Sequence, residues 1–362
     1  MTTAKAPAKA QQTNYAGFLA GLAIVVILAF IARWLKIQIY GVSLPLGIPG
    51  RALEYPLWAA IVGLILNWIL KTANVYDAVK SGFRTELFLK VGLVLLGTTI
   101  SFRTIVTAAA GAIIQALILV TCVYFFCWWL SGKYGLPDTL RAVMSTAIAI
   151  CGVSAAIAAA GSVLAKKEEI TYITALVIIT ALPLMVIAPL LAGAMGLPEP
   201  IAGAWFGGNV DTTAAVVGAG TMYGKTAQQI ASIVKQTQNA LIGVVAFLLA
   251  LYFSVVVEGK KERPSAAVIW QRFPKFVLGF IVASLLFTFG WIAKDPGAAI
   301  TAMKDWAFCL AFVCMGLELS VGQIKKMGWN PIIVYLIVTV FNTVLALIVA
   351  WAIFGWLFPA KL

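Results

Sequence analysis

The chain has 362 residues, of which 62% are hydrophobic and only 11% charged, with a mean hydropathy of +1.00. That is more apolar surface than a water-soluble core of this length hides, so the chain belongs in lipid. The formal net charge of +13 lies in loops, where basic residues mark the cytoplasmic side and anionic headgroups and do not imply nucleic acid.

Residues 1–14 form a polar tail with Lys5 and Lys9, and residues 15–362 read as one polytopic membrane domain. The first apolar run has full span length and no small-residue cleavage site, so it is expected to be a retained helix rather than a signal peptide. Windows of span length follow at 16–35, 53–70, 85–102, 107–130, 140–165, 170–193, 200–222, 227–256, 273–293, 302–319 and 331–358. A helical span needs about 20 apolar residues, and the alternating pattern of an outer-membrane barrel is missing. The expected fold is an all-α integral membrane protein of 10–11 transmembrane helices, some interrupted near the midplane.

The window at 140–165 contains ICGVSAAIAAAG, whose Gly152 and Ser154 mark a point where the helix opens into a binding loop; close packing by small residues is the alternative. The window at 200–222 reads FGGNVDTTAAVVGAG at its centre and is the doubtful span, expected here to cross. Residues 88–130 align without gaps onto 307–349, pairing Gly97, Ser101 and Ile105 with Gly316, Ser320 and Ile324. Tyr55-Pro56 resembles Phe273-Pro274 at nearly the same offset, so segments of about 53–130 and 273–349 form the expected internal repeat, of the inverted kind if 200–222 crosses. Repeats of this kind belong to alternating-access transporters, with the site between the halves. The basic residues place the N-terminus and the Glu258–Lys275 loop on one side, taken as cytoplasmic.

Ionisable residues inside apolar windows are the strongest functional signal. Asp211, Lys235 and Glu318 together cost about 8–10 kcal/mol at mid-bilayer, so they need partners, water or a role. Asp211 is flanked by Asn209, Thr212 and Thr213 and bracketed by glycines, a composition suited to irregular backbone lining a ligand cavity. Lys235 shares a helix face with Ser232 and Asn239, and Gln238 lies beside it. The bland alternatives are a structural Asp211–Lys235 salt bridge and a Lys235 that snorkels to the interface. Helix interruptions at 152–154 and 209–213 are expected to meet tip to tip.

At these residues the chain resembles the YeiH family, labelled sulfate exporters, over nearly its whole length. The matching stretches are VGLVLLG at 91–97, ICGVSAAIA at 150–158, DTTAAVVGAG at 211–220, IVKQTQN at 233–239, PKFVLGF at 274–280 and MGLELS at 315–320. The resemblance implies a bacterial inner-membrane secondary transporter with two bundles and crossed broken helices. This chain departs from the family pattern in carrying Asp211-Thr212-Thr213 where His-Asp-Thr is usual, and Gln238 where Arg is usual. Both departures remove positive charge.

The expected function is secondary active transport of a small inorganic or organic anion (sulfate, sulfonate or carboxylate), with the lipid bilayer as the other partner. Asp211 would be the H⁺ or Na⁺ site, Lys235 its partner and an anion contact, and Ser154 with the backbones of Asn209, Thr212 and Thr213 the substrate cradle; Gly152 and Asn239 belong to the same substrate or ion site, and Glu318 is a second-rank member. The alternative is a cation/proton antiporter without an anion substrate. No cofactor beyond the coupling ion is expected, and a homodimer is compatible with the sequence, which marks no dimer face. Enzyme chemistry is not expected, because the chain has no histidine and Ser232 with Lys235 is the sole local candidate dyad. The five cysteines have no CxxC spacing and offer no zinc site.

Overall fold

The computed structural model describes residues 15–39, 55–257, 267, 270, 275–291, 298–319 and 328–358. Among these residues the chain is helical and carries no strand, and seven helices are long and apolar enough to cross a bilayer. Lys5, Lys9, Ser320, Ile324 and most of the Glu258–Lys275 loop lie outside the described residues.

The first helices are α1 (Tyr15–Ile39), α2 (Tyr55–Thr72), α3 (Thr85–Gly97) and α4 (Phe102–Lys133). They alternate in direction. On α1, Ile27, Phe30, Ile31 and Trp34 are all exposed at one-face spacing, a stripe too apolar for water and suited to lipid. The face where α1 begins is called the N-face below, and the opposite one the C-face.

The window at 140–165 is two helices, α5 (Asp138–Ala149) and α6 (Val153–Val163), and it does not cross. Thr139 Oγ1, in the first turn of α5, donates to Glu169 Oε1 at 3.0 Å, and Glu169 sits just after the end of α6. Both ends of this segment therefore lie on the N-face. It is a re-entrant hairpin, hairpin A, and its tip passes through Gly152, whose φ of +69° suits glycine.

The next helix, α7 (Lys167–Ala194), crosses to the C-face and leads into α8 (Glu199–Asn209) and α9 (Thr213–Tyr223). These form hairpin B, which enters from the C-face. Glu199 Oε2, at the start of α8, accepts from the N–H groups of Thr226 and Ala227 at 2.8 and 3.2 Å, just beyond the end of α9. Tyr223 Oη donates to Leu197 O, joining the same two ends. The expectation that 200–222 crosses is thus corrected. Its length matches a span, but long-range bonds fold its halves back on each other.

From the C-face, α10 (Lys225–Ala240) and α11 (Ile242–Tyr252) return as one rod to the N-face. The polar α10 is buried because both arms of hairpin B lie against it without intervening side chains. A Cβ added at Gly203 would come within 2.5 Å of Ala227 O, and one at Gly220 within 2.6 Å of Gln228 Cα. Last come α12 (Phe276–Thr288), α13 (Ala298–Leu317) and α14 (Asn330–Ala350), the last running on to Leu357.

Two packing groups result. Helix α13 packs on α1, α2 and α3, and α12 packs on α3. The hairpins, α4, α7, α10, α11 and α14 form the second group, which touches the first mainly where α9 meets α2 and α13 and where α12 meets α4. Asn67 on α2 donates to the carbonyls of Leu317 and Leu319, the latter at 2.7 Å, and so holds the unwound end of α13. Against the expected 10–11 crossing helices, the described residues hold seven helices of span length and two hairpins. The shorter α3 and α12 reach about 20 Å each.

Candidate functional site

Each hairpin arm of 11 or 12 residues reaches about 16–18 Å, half of a ~30 Å hydrocarbon layer. The two tips therefore meet deep in the membrane. A Cβ added at Gly152 would lie 3.4 Å from Thr212 Cγ2 and 3.5 Å from Asp211 O, so the tips are in backbone contact. This tip-to-tip meeting is the one the sequence pattern predicts.

Asp211 is 1% exposed and precedes the α9 N-terminus, where the helix dipole favours negative charge. Tyr335 Oη of α14 donates to Asp211 Oδ2 at 2.7 Å, whereas Oδ1 is buried with no hydrogen-bond partner among the described residues. Lys235 is also 1% exposed. Its Nζ donates to Ile150 O at 2.5 Å and to Gln238 Oε1 at 3.1 Å, placing the cation on the C-terminal carbonyl of α5. Both bland alternatives fail on this geometry: Lys235 neither snorkels nor pairs with Asp211.

The remaining tip residues fall around these two charges. Asn239 Nδ2 donates to Thr213 Oγ1 at 3.2 Å, and its Oδ1 has no partner among the described residues. Thr212 Oγ1 caps α9 by accepting from the Ala215 N–H at 3.2 Å. Asn209 Oδ1 accepts from Thr343 Oγ1 at 2.8 Å, and its Nδ2 has no partner among the described residues. Helix α6 has no side-chain cap at all. Lys235 answers the Ile150 carbonyl at the end of α5, and Asn342 answers the Gly208 and Asn209 carbonyls at the end of α8. The N-terminal ends of α6 and α9, each with first-turn N–H groups, begin at the same junction.

Two expected residues stand apart. Ser154 is exposed on the far side of the tip, where its Oγ lies 3.3 Å from Glu86 Oε1 of α3. Glu86 itself pairs with Lys90 at 2.8 Å. Glu318 belongs to the other packing group, beside Thr85 and Glu86, and is not brought to Asp211. The junction therefore holds a single carboxylate, Asp211, and a single ammonium, Lys235. Ser232 Oγ donates to Gln228 O at 2.7 Å, which leaves no serine–lysine dyad with Lys235.

Sequence reasoning missed the partner helix. Tyr335, Thr339, Asn342 and Thr343 of α14 follow i, i+4, i+7, i+8 spacing, and Tyr335, Asn342 and Thr343 bond to residues 208–211 at the tip of hairpin B. That stripe is readable in an otherwise apolar helix, and it is the signal that would have found them. Thr180 of α7 also lies beside Asp211.

The family model described as "Conserved hypothetical protein 698" matches residues 18–335. The chain belongs to this family. It is the UPF0324 family, the same as the YeiH family of the sequence resemblance. A UPF0324 membrane protein of Rhodopirellula baltica is 35% identical over 356 residues, covering 94% of this chain and 64% of that protein. One from Nitratidesulfovibrio vulgaris is 35% identical over 320 residues, covering 83% of this chain and 55% of its own length. The chain thus spans under two thirds of these UPF0324 relatives. A UPF0324 protein of Bacillus cereus is 27% identical over 341 residues and covers 93% and 95% of the two chains. No solved structure matches the chain. The UPF0324 relatives are named as membrane proteins, in keeping with a multi-pass chain.

Proposed function

We propose that the chain is a secondary active transporter that moves a small anion, of the sulfate, sulfonate or carboxylate class, across the bacterial inner membrane with H⁺ or Na⁺ coupling. The observation that carries this reading is the junction of two re-entrant hairpins entering from opposite faces. Such a junction brings helix N-termini to the midplane, where their N–H groups and positive dipole ends suit an anion. Lys235 adds a full positive charge. Asp211 offsets it until a proton or Na⁺ occupies the unpartnered Oδ1, so cation loading would turn a neutral site into an anion-attracting one. That sequence is cation-coupled transport in electrostatic terms.

The orphan oxygens Asp211 Oδ1 and Asn239 Oδ1 equally favour a cation/proton antiporter, which is the second reading. Reconstituted proteoliposomes separate the two. Under the first, Na⁺ or a pH gradient drives uptake of labelled sulfate, a sulfonate or a dicarboxylate; under the second, added Na⁺ moves protons with no anion present. Asp211→Asn is expected to abolish coupled flux while the protein elutes as a folded species. Full activity in that variant would remove the centre of the proposal.

For orientation, Lys80, Arg84, Lys133, Arg141, Lys166, Lys167 and Lys275 cluster at helix ends on the N-face, against Arg33, Lys36, Arg103, Lys225 and Lys304 on the C-face. We assign the N-face to the cytoplasm on that imbalance.

A further inference from the structure

On the C-face, a cavity of about 250 Å³ opens where the two packing groups meet. Arg33 and Lys36 of α1 and Lys304 and Asp305 of α13 line it from the first group, and Lys225 and Gln228 of α10 line it from the second. Four of these six are cations and one is a carboxylate. Like charges converging at a membrane face repel unless an anion joins them, which is how anion sites are built.

The cations are held in place. Lys304 is only 8% exposed and is compensated by the adjacent Asp305 carboxylate at 3.4 Å. The Arg33 guanidinium stacks 4.5 Å above the Trp306 ring, yet its Nη1 is buried with no hydrogen-bond partner among the described residues. A buried charged donor left unpaired is costly, and its fixed geometry is what a planar or tetrahedral oxyanion uses. The volume is below the ~300–1,000 Å³ of drug-sized pockets, which suits a small ion.

We infer that this cavity is a second anion site for an oxyanion of two or more negative charges, phosphate- or sulfate-like, either free in solution or as the headgroup of an anionic lipid. The bound group would bridge Arg33 and Lys304 on one packing group and Lys225 on the other, tying them together at the C-face. The site does not depend on the transport reading, because it lies at the opposite end of hairpin B from Asp211 and Lys235.

The test is equilibrium binding of labelled sulfate and phosphate to the detergent-purified chain, with retention of added phosphatidylglycerol measured in parallel. Arg33→Gln and Lys225→Gln should each raise the half-saturating concentration at least tenfold, Arg33→Lys should retain most of the binding, and Lys235→Gln should leave this component unchanged. Phosphatidylglycerol retained by the parent and released in Arg33→Gln, with no response to the free ions, would assign the site to a lipid headgroup. Binding of all three probes unaffected by Arg33→Gln and Lys225→Gln, or lost only in Lys235→Gln, would overturn the inference, and the latter result would leave the transport site standing.

Discussion

Asp211 and Lys235 survive at membrane depth because each is set against a helix terminus of opposite sign, and on the carboxylate only Oδ1 is left without a partner among the described residues. Tyr335 is the donor that fixes the carboxylate on its other oxygen. A hydrogen bond to a charged group contributes about 1.5–3 kcal/mol, roughly tenfold or more in affinity. Removing it in Tyr335→Phe leaves the carboxylate dependent on the coupling ion for compensation. The concentration of that ion giving half-maximal flux should fall about tenfold, as read from Na⁺ and pH titrations of uptake; an unchanged titration would place the coupling ion elsewhere. Asp211, Lys235 and Asn239 were legible in the sequence because charges and amides inside apolar helices are expensive. Tyr335 and Thr343 were not, since a tyrosine or threonine is unremarkable in a span and only its spacing marks a polar face. The placement of Glu318 in the other packing group was not legible either: a carboxylate at the end of an apolar run looks the same whichever group it faces.

At the scale of elements, the break points of both hairpins were readable and their direction was not. Glycines and short polar residues at 150–154 and 207–213 weaken a helix wherever it goes. Whether the two halves continue or fold back rests on bonds such as Thr139 to Glu169 and Glu199 to Thr226, between residues about 30 positions apart. A segment of two half-length arms has the length of a span, so hydropathy scores both alike. The tip of hairpin A is the element's weakest point. Gly152 adopts φ +69°, and a Cβ there would meet Val177 Cγ1 at 2.4 Å. Gly152→Ala therefore combines backbone strain of about 1–3 kcal/mol with a steric clash. Its melting temperature should fall and its flux disappear. Adding Val177→Ala should recover part of the stability, since it relieves the clash and leaves the strained φ. Equal stability of Gly152→Ala and the parent would mean that the tip is not built as described.

For the whole molecule, the windows at 140–165 and 200–222 both fold back, and a change of two leaves the parity of the chain unchanged. Helices α3 and α13, which the sequence offset equates, still run in opposite directions, because Gly92 packs on Phe308 while the start of α3 lies beside Glu318 at the far end of α13. The inverted relation expected between the segments 53–130 and 273–349 was reasoned from a crossing at 200–222 that does not occur. The arrangement makes a demand that labelling can meet or refuse. In a background with the native cysteines replaced, Thr139→Cys and Leu164→Cys flank hairpin A and should react with an impermeant maleimide from the same side of the membrane. Lys225→Cys, at the end of hairpin B, should react from the other. With the N-face in the cytoplasm, the first pair is protected in intact cells and labelled in inverted vesicles, and Lys225→Cys shows the reverse. Positions 139 and 164 labelling from opposite sides would turn hairpin A into a crossing helix. The N-terminal ends of α6 and α9 would then no longer be forced together at mid-membrane, and the electrostatic case for an anion at their junction would fall with them.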